Sequence, residues 1–159
     1  MATIETREFT KKDVPQVLEL MKGLAVFEGY IDDFKVTQSD LIKHGLCKNP
    51  IFKVFVAYKQ ATILGIAVTY TIPWTYALCP TVVLKELYVS NHVRAQGVGK
   101  ALMKNVAKQA KSINAPRIQW TVLSINEKAK KFYHDLGATT DGKWLAFALN
   151  KQSISKLIQ

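Results

Sequence analysis

The sequence predicts an α/β (α+β) fold in which helices flank a central, mixed but mostly antiparallel sheet, and three observations support this. Strand and helix periodicities alternate along the chain in the order βα-α-βββ-α-β-α-β. The three middle strands follow one another across short breaks, as an antiparallel meander does. A chain of 159 residues, 48% of them hydrophobic, can fill one sizeable core, and no repeat, linker or low-complexity tract divides it. A single domain over residues 1–159 is expected.

The elements read in order as follows. "TIETREFT" alternates as a strand does, and "KKDVPQVLELMKGL" places Val14, Val17, Leu18, Met21 and Leu24 at helical spacing before Gly23 and Gly29 loosen the chain. "VTQSDLIKHGL" starts a short second helix with a capping-box pattern, Thr37 and Asp40, and stops near Gly45. From Phe52 to Val89 the period is two: "FKVFVAYK", a turn at Gln60 and Ala61, "TILGIAVTYTI", the break "PWTYALCP", and "TVVLKELYV". A helix from about Gly97 to Asn114 sets Leu102, Val106, Ala110 and Ile113 on one side and Lys100, Lys104, Lys108 and Lys111 on the other. "PRIQWTVL" reads as a strand, "NEKAKKFYHDLG" as a helix ending at Gly137, and "WLAFALN" as a closing strand.

The net charge of +10 makes a polyanion a plausible partner: nucleic acid, an anionic membrane or a phosphate-rich small molecule. Cys47 and Cys79 have no metal-type spacing and only three histidines are present, so no metal is expected. The N-terminus lacks the apolar core of a signal peptide, and the longest apolar run is about half of the ~20 residues a membrane helix needs. A soluble, cytoplasmic protein with reduced thiols and no membrane partner is expected. The lysine stripe is read as a solvated helix face rather than a nucleic-acid surface, because no aromatics interleave with it.

The stretch "VRAQGVGKAL" lies between a strand and the lysine-rich helix. A Walker loop would need glycine where Arg94 stands and a hydroxyl where Ala101 stands, and a dinucleotide fingerprint would need glycine at Leu102. What remains is RxxGxG: Arg94, Gly97 and Gly99. Glycines there let the backbone approach a diphosphate, and a helix N-terminus adds positive potential. A glycine-softened helix start with no ligand is the alternative.

This segment resembles the [RQ]xxGx[GA] loop of the GNAT superfamily of N-acetyltransferases. "LKELYV" is similar to that family's bent fourth strand, "NEKAKKFYHDLGA" to its segment with Asn, Ala, Phe-Tyr and Leu-Gly, and the element order matches from about Ile4 to Leu149. Within the superfamily the nearest likeness is to the diamine group, the spermidine/spermine and thialysine acetyltransferases, through "LAVFEGYIDDFKVTQSDLIKHGL", "INEKAKKFY" and "GKW". The resemblance implies a twisted sheet of six to seven strands with about four helices. It also implies acetyl-coenzyme A as co-substrate, a homodimer, and acetyl transfer to a primary amine of a small cationic molecule in a ternary complex. Acetylation of another amine (amino acid, aminoglycoside, protein lysine or N-terminus), a non-catalytic cofactor-binding module, or a nucleic-acid-binding protein are the rival readings.

Acetyl transfer needs a neutral amine, a polarised thioester and a proton for the departing thiolate. An alkylamine of pKa ~10.4 is about a thousandth neutral near pH 7.4, a cost of roughly 4 kcal/mol unless the site removes the proton. Glu86 is the candidate base, directly or through water; the alternative is an ordinary strand residue or a partner for a lysine. The diamine group usually has two acids here, whereas this chain has Lys85 and Glu86, which puts a polyamine in doubt. By resemblance Tyr133 is the general acid toward sulfur, and a phenol of pKa ~10 suits that role; a core aromatic beside Phe132 is the alternative.

The resemblance further implies that the amides of Leu87 and Val89, with Tyr88 between them, hold the pantetheine arm and acetyl carbonyl. Arg94, Ala95, Gln96, Gly97, Val98, Gly99 and Lys100 would take the pyrophosphate. Asn126 caps its helix and, with Lys128, would contact the cofactor. For the acceptor, Glu28 aligns with a substrate-contacting glutamate of the diamine group, with Phe27 beside it and Asp32 and Asp33 nearby. Trp74, Lys85, Glu86, Trp120 and Asp141 complete the candidate acceptor site, which Trp144 could help close.

Overall fold

Among the described residues the alternation of period-two and helical segments gives a five-stranded sheet and five α-helices. The structure is a computed structural model that describes residues 3–140 and 142–158; Asp141 therefore lies outside the described residues. The elements are β1 (Glu5–Glu8), α1 (Val14–Glu28), α2 (Gln38–Gly45), β2 (Lys53–Lys59), β3 (Thr62–Ile72), β4 (Thr81–Val89), α3 (Val98–Ser112), β5 (Ile118–Gln119), α4 (Glu127–Asp135) and α5 (Lys151–Leu157). Internal contacts group the chain into Met1–Thr121 and Val122–Gln159, each taken by itself below.

In the first unit the sheet order is β1-β2-β3-β4-β5, antiparallel except for the parallel β4/β5 pair. One face packs on α1 and α2 through Val14, Val17, Leu18, Met21, Leu41, Val54, Val56, Ile66 and Val68. The other carries α3: a Cβ on Gly65 would lie 3.1 Å from Val98 and 3.3 Å from Leu102, and buried Thr69 donates a 2.8 Å hydrogen bond to Gln109. Leu102, Val106 and Ala110 are buried as the periodicity predicts, which leaves the lysines of α3 exposed.

Two bulges break the period of two. Between Ala57 and Tyr58 the register skips Leu64, so Ile63 and Ile66 share the α1 face although they are three apart. In β4, Val68 pairs with Glu86 and Thr69 with Leu84, leaving Lys85 as the extra residue.

The predicted ends hold in most places. The Thr37–Asp40 capping box starts α2, Gln60 turns the β2–β3 hairpin with φ 56°, and Gly29 ends α1 with φ 80°. Gly23 does not loosen α1; the helix runs through it because the Tyr88 ring packs there, and a Cβ would come within 2.9 Å of the Tyr88 hydroxyl. At the N-terminus, the Asp13 carboxylate accepts from Arg7 and from the Thr10 amide and hydroxyl, which holds its pKa low, the Arg7 bond contributing most.

In the second unit, Asn126 caps α4 by accepting from Ala129 N, and Gly137 follows with φ 89°. The expected closing strand "WLAFALN" is a correction: residues 143–150 form neither helix nor strand, and Trp144, Leu145 and Phe147 are exposed. Likewise "PRIQWTVL" reduces to the two residues of β5. A strand needs a partner edge for its amides and carbonyls, and apolar composition alone supplies none. The unexpected α5 is capped by Asn150, which accepts from Ser153 N. The sheet thus has five strands among the described residues instead of six to seven.

Candidate active site

The bulge at Lys85 decides which side chains of β4 meet the end of α1. Residues opposite each other in adjacent strands share a face, so Glu86 (opposite Val68) and Tyr88 (opposite Ile66) lie on the α1 face, whereas Leu84 (opposite Thr69) lies on the α3 face. Without the bulge, simple alternation would put Glu86 with Leu84. Re-aimed by one residue, Glu86 comes under the charge of Glu28, at the end of α1, and its own charge acts on Tyr30 beyond it.

The Glu86 Oε2 atom is buried and makes no hydrogen bond among the described residues. Burial pushes its pKa up, exposed Lys85 pulls it down, and Glu28 pushes it up again. Tyr30 is pushed up to about 12, by burial first and then by the charges of Glu86 and Glu28. A carboxyl with a raised pKa beside a phenol that stays protonated is suited to accept a proton from an ammonium and hold the resulting amine. Phe27 and Glu28 are exposed on the last turn of α1, Asp32 and Asp33 on the short 3-10 turn after it, and Trp74 in the β3–β4 connection.

Beyond its first residues β4 loses its neighbour on one edge. The β4/β5 ladder contains only Val82–Ile118 and Val83–Gln119, so residues 84–89 have no strand partner on that edge among the described residues. Ser90 donates to Leu64 O of β3, and amide directions alternate along a strand, so the amides of Val89 and Leu87 point to the unpaired edge. The loop then turns through two left-handed residues, Ala95 (φ 61°) and Gly97 (φ 85°), into a 15-residue helix with no side chain capping its N-terminus. A Cβ on Gly97 would meet nothing, so the glycine serves its dihedral angle. Inward-turned amides and an uncapped helix start suit a diphosphate.

A family model described as the acetyltransferase (GNAT) family matches residues 19–138. The chain belongs to this family. The acetyltransferase is similar to thialysine N-epsilon-acetyltransferase of Mus musculus, with 28% identity over 170 aligned positions covering 99% of this chain and 98% of the mouse protein. Over a shorter stretch, 77 positions covering 46% of this chain and 34% of the relative, it is 32% identical to an L-ornithine N5-acetyltransferase of Arabidopsis thaliana. Among solved structures it is similar to an integron cassette protein from the mobile metagenome of V. cholerae, with TM-score 0.77, 24% identity, and coverage of 100% and 99% of the two chains.

The acetyltransferase carries Phe27, Glu28, Trp74, Lys85, Glu86, Leu87, Tyr88, Val89, Arg94–Lys100 and Trp120 in its first unit, with Trp120 directly after β5. Asn126, Lys128, Tyr133 and Trp144 belong to the second. There Tyr133 sits on α4 beside Phe132, ring centroids 5.2 Å apart. Tyr30 was absent from the sequence-based site. Its one signal is its position directly after Gly29, which ends α1 and turns the chain back toward the sheet.

Proposed function

We propose that the protein transfers acetyl from acetyl-coenzyme A to the primary amine of a small cationic substrate, by direct attack in a ternary complex. The observation that carries this reading is the bulge at Lys85, which turns half-buried Glu86 to the α1 face, within reach of the charge of Glu28, while the end of β4 runs on into the diphosphate-type loop. The names of the thialysine and ornithine acetyltransferases support a small diamine-like acceptor. A single catalytic domain over residues 1–159, a homodimer and a cytoplasmic location belong to the same reading.

In this scheme coenzyme A supplies the activated acetyl group. Amides from Arg94 to Lys100 and the start of α3 hold its pyrophosphate, and the amides of Leu87 and Val89 take the pantetheine arm and polarise the carbonyl. Asn126 and Lys128 add contacts from α4. Glu86 draws the proton from the ammonium, Tyr30 donates to the amine-side carboxylates, and Tyr133 protonates the departing thiolate. Phe27, Glu28, Trp74 and Trp120 belong to the acceptor side in this reading.

The test is thiol release from acetyl-coenzyme A over spermidine, thialysine, lysine, ornithine and an aminoglycoside. Turnover with at least one is expected, and none would leave a cofactor-binding module. Tyr133→Phe should lower kcat about 10²-fold or more with coenzyme A affinity held within about twofold; an unchanged kcat removes its acid role.

A further inference from the structure

The Arg94 side chain is engaged before any ligand arrives. Its guanidinium carbon lies 5.7 Å from the ring centroids of both Phe27 and Tyr88, and its Nε donates to the carbonyl of Val89 at 3.2 Å. These partners come from two elements, the last turn of α1 and the end of β4, while Arg94 itself lies on the loop. Tyr88 is also the ring on which Gly23 of α1 rests. The Val89 carbonyl lies on the β4 edge that has no strand partner, so Arg94 occupies hydrogen-bonding capacity that β5 leaves open.

The geometry points to Arg94 as a positioning residue: clamped by Phe27 and Tyr88, it locks the coenzyme A loop to the acceptor-side end of α1. Its function is to fix the loop's amides in their binding arrangement, and it makes Phe27, an exposed residue of the acceptor side, a determinant of donor affinity. A planar, weakly hydrated guanidinium satisfies two aromatic faces at once, which a lysine ammonium does not. The inference rests on the loop being the coenzyme A site, as proposed above.

Coenzyme A binding by calorimetry, at one fixed ionic strength, tests it without any acceptor. Phe27→Leu should weaken coenzyme A about three- to fivefold, the scale of an exposed cation–ring contact, although Phe27 lies outside the loop. Phe27→Tyr should restore wild-type affinity because a ring is retained; a packing role alone would be served by leucine too. Arg94→Lys should lose at least as much as Phe27→Leu, since it also gives up the Tyr88 ring and the Val89 hydrogen bond, and the double variant should be no weaker than Arg94→Lys alone.

Wild-type affinity in Phe27→Leu, or in Arg94→Lys, would overturn the clamp and leave the loop reading intact. Absence of coenzyme A binding by the wild-type enzyme would overturn both. Unfolding midpoints within about 2 °C of wild type confirm that each variant is folded, as expected for a side chain 52% exposed.

Discussion

Glu86 carries opposing demands in one side chain. The proposed base must be ionised to act, yet burial and Glu28 favour the neutral form of Glu86 while Lys85 favours the charged one. The rate should therefore fall as pH drops through a value above the ordinary carboxyl pKa of 4.5. Lys85→Gln removes the one opposing charge and should move that limb to still higher pH, read from kcat/KM profiles of the two enzymes; an unmoved limb would detach Glu86 from the proton transfer. The stability sign follows from the same shift. A carboxyl whose folded pKa exceeds its unfolded one stabilises the fold most below the unfolded pKa, and that contribution is lost as pH rises through the folded pKa. Glu86→Gln should accordingly melt at or above wild type at pH 7.5 while losing about 10²-fold or more in kcat.

The elements around the site depend on glycines for two different reasons. At Gly97 the constraint is torsional: φ is 85° and a Cβ would meet no atom. Gly97→Ala should cost about 1–2 kcal/mol in denaturant unfolding, and Gly97→Asn less, since asparagine tolerates the left-handed region. At Gly65 the constraint is space, because a Cβ would fall 2.8 Å from the backbone carbonyl of Tyr88 and 3.1 Å from Val98. Gly65→Ala pushes β3 from β4 at the end that leads into the loop. It should cost about 1–3 kcal/mol and weaken coenzyme A binding with it. A Gly65→Ala enzyme of wild-type stability would show that the strands can separate without loss.

At the scale of the whole molecule, charge would sort the two proposed substrates. A net charge of +10, with Lys100, Lys104, Lys108 and Lys111 exposed along α3, attracts a polyanionic donor to the end of the helix where its amides are free. Glu28, whose charge reaches Glu86, is followed in the chain by exposed Asp32 and Asp33, a local acidic exception that would suit the proposed cationic acceptor. Raising ionic strength from 50 to 300 mM, about a twofold or greater change in screening length, should increase the dissociation constant for coenzyme A several-fold. Lys104→Gln with Lys108→Gln should flatten that dependence while the same acceptor KM is kept. A salt-independent donor affinity would confine the lysines to solubility.

The sequence by itself determined the element order, the helix caps at Thr37 and Asn126, the glycine turns, and the loop "VRAQGVGKAL", because each is set by residues within a few positions of one another. It also placed Glu28 and Glu86 as the acids to examine. It did not determine which face Glu86 occupies: that follows from one extra residue pairing against Val68 and Thr69, sixteen or more positions earlier. Nor could it show half-buried Tyr30 under the charge of Glu86, or Arg94 over the rings of Phe27 and Tyr88, since these require α1, β4 and the loop to meet. "WLAFALN" misled for the same reason: its apolar run is compatible with a strand, but a strand exists only where another edge completes its hydrogen bonds. Local dihedral preference is written in the chain; register, facing and edge pairing are decided only when distant segments pack.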